Sequence, residues 1–157
     1  CCRYNQDFVE SYTGATMTDT KLKYFITVPG RPIPRAVKFS KFGSYNTKRV
    51  RTWMDLVALL SKAEINSKGV TADKGIPVRV KIIIHMPLAK GTSKKAIAKE
   101  VGQPHVKIPD ADNLIKPIKD ALTEAGMWYD DCQVYDIQAT KINAKPEEGR
   151  VKIAVLW

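Results

Sequence analysis

The stretch IPDADNLIKPIKDALTEAGMWYDDCQVYD, residues 108–136, decides how the chain is read. Asp110 and Asp112 stand one residue apart, and a helical pattern follows, which predicts a helix from Asp112 to Ala125. Asp112 suits the N-cap, because its side-chain oxygen can accept from an unpaired first-turn amide. Gly126 sits where a helix closes. Pro117 lies inside the first turns and frees the carbonyl of Asn113, so a kink or a late start is expected. Asp130 and Asp131 come next, where the chain re-enters a sheet. In a chain of formal charge +10, carboxylates gathered this closely call for a positive partner.

Working outward, KLKYFITV (21–28) alternates Leu22, Tyr24, Ile26 and Val28 and reads as a strand. PGRPIPR (29–35) stops it and opens an extended loop. From Thr47 the period changes: Val50, Trp53, Met54, Val57 and Leu60 predict an amphipathic helix over 48–66. PVRVKIIIHM (77–86) alternates again, with Val78, Val80, Ile82, Ile84 and Met86 inward and Arg79, Lys81 and His85 outward. Residues 88–108 form a basic connection with a short helix around Lys94–Glu100. Strands at about 133–143 and 150–157 follow, and AKPEEG is expected to join them as a hairpin. The order β-α-β-α-β-β predicts an α+β domain over 21–157, a mixed or mostly antiparallel four-stranded sheet carrying two main helices. Residues 1–20 lack apolar periodicity and are expected to be a disordered arm, with Met17 a candidate start.

At 157 residues with 44% hydrophobic composition, the length prior gives one ordinary soluble domain. No apolar run approaches the ~18 residues of a membrane span, so a cytoplasmic protein without a membrane partner is expected. Cys1 and Cys2 are adjacent and Cys132 is distant, which is no disulfide framework. His85 and His105 complete no zinc spacing. Cys132 is expected to be a small core residue. The charge is concentrated: nine cations and no acid lie between Thr20 and Met54. Such a one-signed segment points to a polyanion, and Phe39, Phe42 and Tyr45 among the cations point to nucleic acid, whose bases aromatic faces stack on or wedge between. The candidate contacts are Arg31, Arg35, Lys38, Phe39, Lys41, Phe42, Lys48 and Arg49, joined by Lys94 and Lys95 of the second basic segment. A nucleoid-associated location follows from such a partner.

In extended backbone, residues i and i+2 face one side, so Asp110 and Asp112 can converge on one point. Lys116 lies one turn beyond Asp112 on the same face. If the following strand runs beside the helix start, Asp130 or Asp131 points back at the pair. Carboxylates so packed repel unless a cation sits between them, and oxygen ligands without imidazole or thiolate favour Mg²⁺ or Mn²⁺. Separate structural roles compete with this reading: Asp112 as a cap, Lys116 paired with Asp120, Asp130 and Asp131 as turn residues.

The same stretch closely resembles the signature of the RusA-type Holliday junction resolvases: Asp-x-Asp-Asn-Leu-x-Lys, then Asp-Ala-Leu, then Trp-x-Asp-Asp-x-Gln-Val. VPGRPIPRAVKFSKFGSYNTKRVRTW resembles that family's Pro-rich first loop and helix, and the likeness covers roughly residues 22–157. The resemblance implies a homodimeric, Mg²⁺-dependent enzyme without an organic cofactor, cutting four-way DNA junctions in pairs. It implies metal-binding catalytic roles for Asp110, Asp112 and Asp131, a phosphate contact for Lys116, and a lesser place for Asp130. Ala111 and Pro117 depart from the pattern at positions without chemistry. Two rivals stand beside it: a DNA-binding protein that does not cut, and a metal-dependent nuclease for other branched DNA.

Overall fold

The computed structural model describes residues 21–40 and 43–157, and within them every side chain except those of 37–45. The expected arm, residues 1–20, lies outside the described residues. In chain order the strands and helices are β1 (Leu22–Pro29), β2 (Val37–Ser40), β3 (Gly43–Asn46), α1 (Lys48–Lys68), β4 (Val78–Pro87), α2 (Lys94–Glu100), α3 (Ala111–Glu124), β5 (Val134–Ala144) and β6 (Arg150–Leu156). A 3₁₀ turn at Asp131–Gln133 leads into β5.

Alternation builds one four-stranded mixed sheet in the order β1-β6-β4-β5. β6 is antiparallel to β1 and to β4, and β5 is parallel to β4. The α+β class is as expected, but the final hairpin is not. β4 lies between β5 and β6, so residues 145–149 cross the end of β4 instead of turning back on β5. Gly149 makes that crossing tight: a Cβ there would lie 3.1 Å from the backbone of Arg31 and 3.2 Å from Pro87. β2 and β3 form a separate antiparallel ribbon within what reads from sequence as an extended loop.

One sheet face is buried under the helices. Tyr24, Ile26, Val28, Val80, Ile82, Ile84, Val151, Ile153 and Val155 supply it. α1 contributes Val50, Trp53, Met54 and Val57, and α3 contributes Leu114, Ile118, Ala121 and Leu122, the period each sequence predicts. Ile118 is fully buried, so Ile118→Ala costs about 2–5 kcal/mol. Trp157 folds back onto this core, its ring 5.8 Å from that of Tyr24.

The opposite sheet face carries Arg79, Lys81, His85, Arg150 and Lys152 in register. Burial, then the charges of Arg150 and Lys152, push His85 down to about 4, so it is neutral near pH 7.

α3 passes through Pro117 without breaking. The carbonyl of Asn113, which Pro117 leaves without its helical donor, accepts instead from the backbone N–H of Arg35 at 2.7 Å. The late start is not seen, since α3 begins at Ala111, and the freed carbonyl serves as a fastening that ties the Pro-rich loop to the first turns of α3.

Candidate active site

The N-cap of α3 lies two residues earlier than its sequence pattern suggests: Asp110, not Asp112, occupies it, and Asp112 lies in the first turn. Asp110 does not act as a cap: its side chain accepts no hydrogen bond from the helix. Both residues are exposed, and neither carboxylate has an ion pair or hydrogen bond among the described residues. Carboxylates left without donors keep their oxygen lone pairs open to a cation, although the positive end of the helix opposes one.

The second acidic pair is differently placed. Asp130 caps the 3₁₀ turn: its side chain accepts from Cys132 N at 2.9 Å, while its own N–H donates to Gln133 Oε1 at 2.9 Å. The amide of Cys132 holds its carboxyl below the usual carboxylate range. Asp131 accepts from the Thr123 hydroxyl and pairs with Lys119 at 3.2 Å; Trp128 Nε1 donates to the same hydroxyl at 2.8 Å. Burial pushes the Asp131 carboxyl up, and the Thr123 and Lys119 bonds outweigh it, holding the group below its ordinary value. Thr123, whose short side chain bonds Asp131, is eleven residues beyond Asp112, about 16.5 Å along the helix at 1.5 Å per residue. The structure therefore does not bring Asp131 to Asp110 and Asp112. Among the described residues no three His, Cys, Asp or Glu side chains are grouped to hold a metal.

Ala111 and Asp112 are helical, not extended, so the alternation expected to aim both carboxylates at one point does not apply; the donor type alone suits a small hard cation. Mg²⁺ is commonly held by one or two carboxylates, the remaining positions going to water and substrate phosphate, and no imidazole or thiolate competes here. Lys116 lies one turn on and meets Asp120 at 3.5 Å, a half-exposed pairing worth a few tenths of a kcal/mol.

The basic loop comes to this place. A cleft of about 320 Å³ is lined by Arg31, the Pro-rich loop, Thr47, Arg49 and Pro109, the residue before Asp110. Arg35 and Lys48 are exposed beside it on the same two segments. On the other flank Lys141 Nζ donates to the carbonyls of Lys107 (2.8 Å) and Pro109 (2.5 Å), fixing the approach to the pair. Lys94 and Lys95 are exposed on α2, and no hydrogen bond or ion pair joins them to the carboxylates. Lys38 and Phe39 lie on β2; Lys41 and Phe42 fall outside the described residues. Cys132 is exposed, not core, because the chain makes a 3₁₀ turn where a strand is expected.

Lys119, Thr123 and Lys141 are absent from the sequence reading. Lys119 and Thr123 continue the helical face of Asp112 and Lys116, a signal present in the spacing. Lys141 reaches Pro109 from the outer strand of a parallel pair, which no local pattern reports.

Comparison with known proteins bears on this geometry. Over 133 residues the chain is 28% identical to the crossover junction endodeoxyribonuclease rusA of Enterobacteria phage 82, covering 84% of this chain and 92% of that protein. The crossover junction endodeoxyribonuclease RusA of Escherichia coli K12 matches equally, at 28% over the same shares. The uncharacterized protein YqaN of Bacillus subtilis 168 is 28% identical over 139 residues, 82% of this chain and 92% of that one. Residues 28–156, which span the Pro-rich loop, α3 and the whole β4–β6 region, match the family described as Endodeoxyribonuclease RusA, and the chain belongs to that family.

Proposed function

We propose that this chain is a Mg²⁺-dependent endodeoxyribonuclease that resolves four-way DNA junctions by paired phosphodiester hydrolysis, in recombination and repair. The observation that carries the proposal is the unpartnered Asp110–Asp112 pair beside a cleft rimmed by Arg31 and Arg49. The names of the relatives supply the substrate class. Asp110 and Asp112 would hold the ion, with Mn²⁺ a substitute. When bound, such an ion polarises a phosphodiester and makes a bound water a better nucleophile. Lys116, only weakly engaged by Asp120, turns to a phosphoryl oxygen where charge develops. Arg31, Arg35, Lys48 and Arg49 hold flanking phosphates, a contact set that lowers affinity steeply as salt rises. Asp131, engaged by Lys119 and Thr123, would have to leave them to join the pair as a third ligand. Two chains about a two-fold axis match the two strands to be cut, so a homodimer is proposed.

Binding without cutting is favoured by one observation, the engagement of Asp131 away from the pair. A labelled four-way junction incubated with the protein, with and without Mg²⁺, separates the readings. Paired incisions in Mg²⁺ that stop in EDTA are expected, with sedimentation at about twice 17.6 kDa. Cleavage that survives EDTA overturns the mechanism, and tight binding without incision in either Mg²⁺ or Mn²⁺ establishes the second reading. Equal cutting of flaps and junctions would widen the substrate to branched DNA generally.

A further inference from the structure

A second concave surface, whose lining includes Asp130 and Cys132, is not used by the proposed reaction. Ile76, Tyr129 and Tyr135, respectively 39%, 67% and 54% exposed, meet around one cleft of about 480 Å³. Large apolar side chains left in water at one concave place mark a binding site more often than chance. The walls are fixed in advance. Gln133 is buried, and its Nε2 donates to the carbonyls of Asp73 (2.6 Å) and Ile76 (3.0 Å) while its Oε1 accepts from Asp130. Ala72 bridges to Trp128 below. A cleft held this way needs little further ordering when it is filled.

Its chemistry narrows the occupant. Lys74 Nζ lies 5.3 Å from the ring centre of Tyr129, and Arg79 Cζ lies 5.7 Å from that of Tyr135. Lys74 stands in the lining as a cation outside any ion pair among the described residues, Arg79 is already paired with Asp136 at 2.7 Å, and the acid in the lining, Asp130, disfavours an anion inside. A flat neutral group carrying a phosphate on the Lys74 side satisfies both conditions. The apolar contribution of three side chains is far below the ~800 Å² per partner of a stable dimer interface, which argues against a second copy.

We propose that the Tyr129–Tyr135 cleft is a stacking site for one unpaired nucleobase of the DNA substrate, with Lys74 meeting a flanking phosphate. This rests on the DNA reading of the protein. Stacking on an aromatic side chain stabilises a bound base by roughly 1–3 kcal/mol, or about 5- to 150-fold in affinity. Unpaired bases at a strand exchange are also the least costly to withdraw from a stack. Tyr129 and Tyr135 occupy none of the fixed positions of the motif around Asp130 and Asp131, so the site would be a property of this chain and set which strand context it prefers.

The test is a binding cycle between protein and DNA, measured by fluorescence anisotropy without divalent metal. Wild type, Tyr129→Ala, Tyr135→Ala and the two Tyr→Phe variants are titrated with four-way junctions carrying a single abasic site stepped across the exchange point. At one position the abasic site is expected to weaken wild type about tenfold. Each Ala variant should bind the intact junction about tenfold more weakly and show no further loss at that abasic position, while the Phe variants behave as wild type. Ala variants that bind like wild type, or that remain as sensitive to the abasic site, overturn the stacking site. So does conversion of a sedimenting dimer to monomer by Tyr129→Ala, which would make the patch a protein interface. If wild type binds no DNA at all, the functional reading itself fails, a separate result.

Discussion

Asp110 and Asp112 at one end of α3, and Asp130 and Asp131 near the other, have the same side-chain chemistry in opposite circumstances. The first two are exposed and lack partners among the described residues, although one sits at an N-cap where a carboxylate usually bonds the helix. The second two are committed: Asp130 to a reciprocal capping box with Gln133, Asp131 to Thr123 and Lys119. The sequence and its family resemblance grouped Asp110, Asp112 and Asp131 at one site, with Asp130 a lesser neighbour. The fold separates them into carboxylates that shape the chain and carboxylates held ready for something else.

That contrast can be broken, and the largest effect should come from the unpartnered end. Asp110→Asn and Asp112→Asn are each expected to lower junction cleavage by about 10²–10³-fold or more, the scale of removing one group that acts on developing charge. Their urea midpoints should stay within about 0.5 kcal/mol of wild type, because no native contact is lost. A larger destabilisation of either variant would show that its carboxylate is structurally committed after all.

At the partnered end the loss should appear first in stability. Gln133→Ala removes a buried amide that satisfies two carbonyls and one N–H, and should cost about 2 kcal/mol in a chemical denaturation series. An unchanged midpoint would mean that the 3₁₀ turn holds without its capping box.

Asp131 gives a smaller, pH-dependent signal. Its folded carboxyl titrates below the unfolded value of about 3.9, so the stabilisation is present above that pH and is lost as pH falls through the lower folded value. With two-fifths of the side chain exposed, a few tenths of a kcal/mol to about 1 is expected. Asp131→Asn should flatten the acid limb of the stability curve and also impair cleavage. Identical acid limbs in wild type and Asp131→Asn would dissolve the distinction between the pairs.

The smallest effect concerns the link from the basic loop to the free pair. Pro117→Ala restores an N–H that competes for the carbonyl of Asn113, so Arg35 N–H should lose up to about tenfold of its hydrogen-exchange protection, the scale of one hydrogen bond. Unaltered protection at Arg35 would mean that the loop is held elsewhere.

Much of this was legible before any coordinates. The helix from Lys48 and the strand from Val78 follow from periods of 3.6 and 2 that survive intact because each has one buried face. The acidic stretch named the right helix, but its N-cap moved by two residues, from Asp112 to Asp110, because the two are equally good caps in sequence. The final strands were misjoined for a different reason. Strands adjacent in sequence usually pair, and nothing local in AKPEEG says that β4 stands between them. The position of Asp131 was likewise out of reach, because it depends on where a parallel strand enters beside a helix, a long-range property. The basic loop's approach to Pro109 is long-range too, although Pro117 carried a hint: a carbonyl it frees must find a donor.

The insertion of β6 between β1 and β4 has a consequence for how the molecule comes into being. β1 makes no ladder with β4; the two are joined only through residues 150–156. On the ribosome, where domains fold as units during synthesis, the first strand must therefore wait, unpaired, for the last strand of the fold to be made. Most of the sheet's long-range contacts close in one late event, and a nascent chain stopped short of residue 150 presents Asp110 and Asp112 on a scaffold whose two halves have not met. A protein proposed to cut DNA is thus kept from its working shape until its message has been read nearly to the end of this domain.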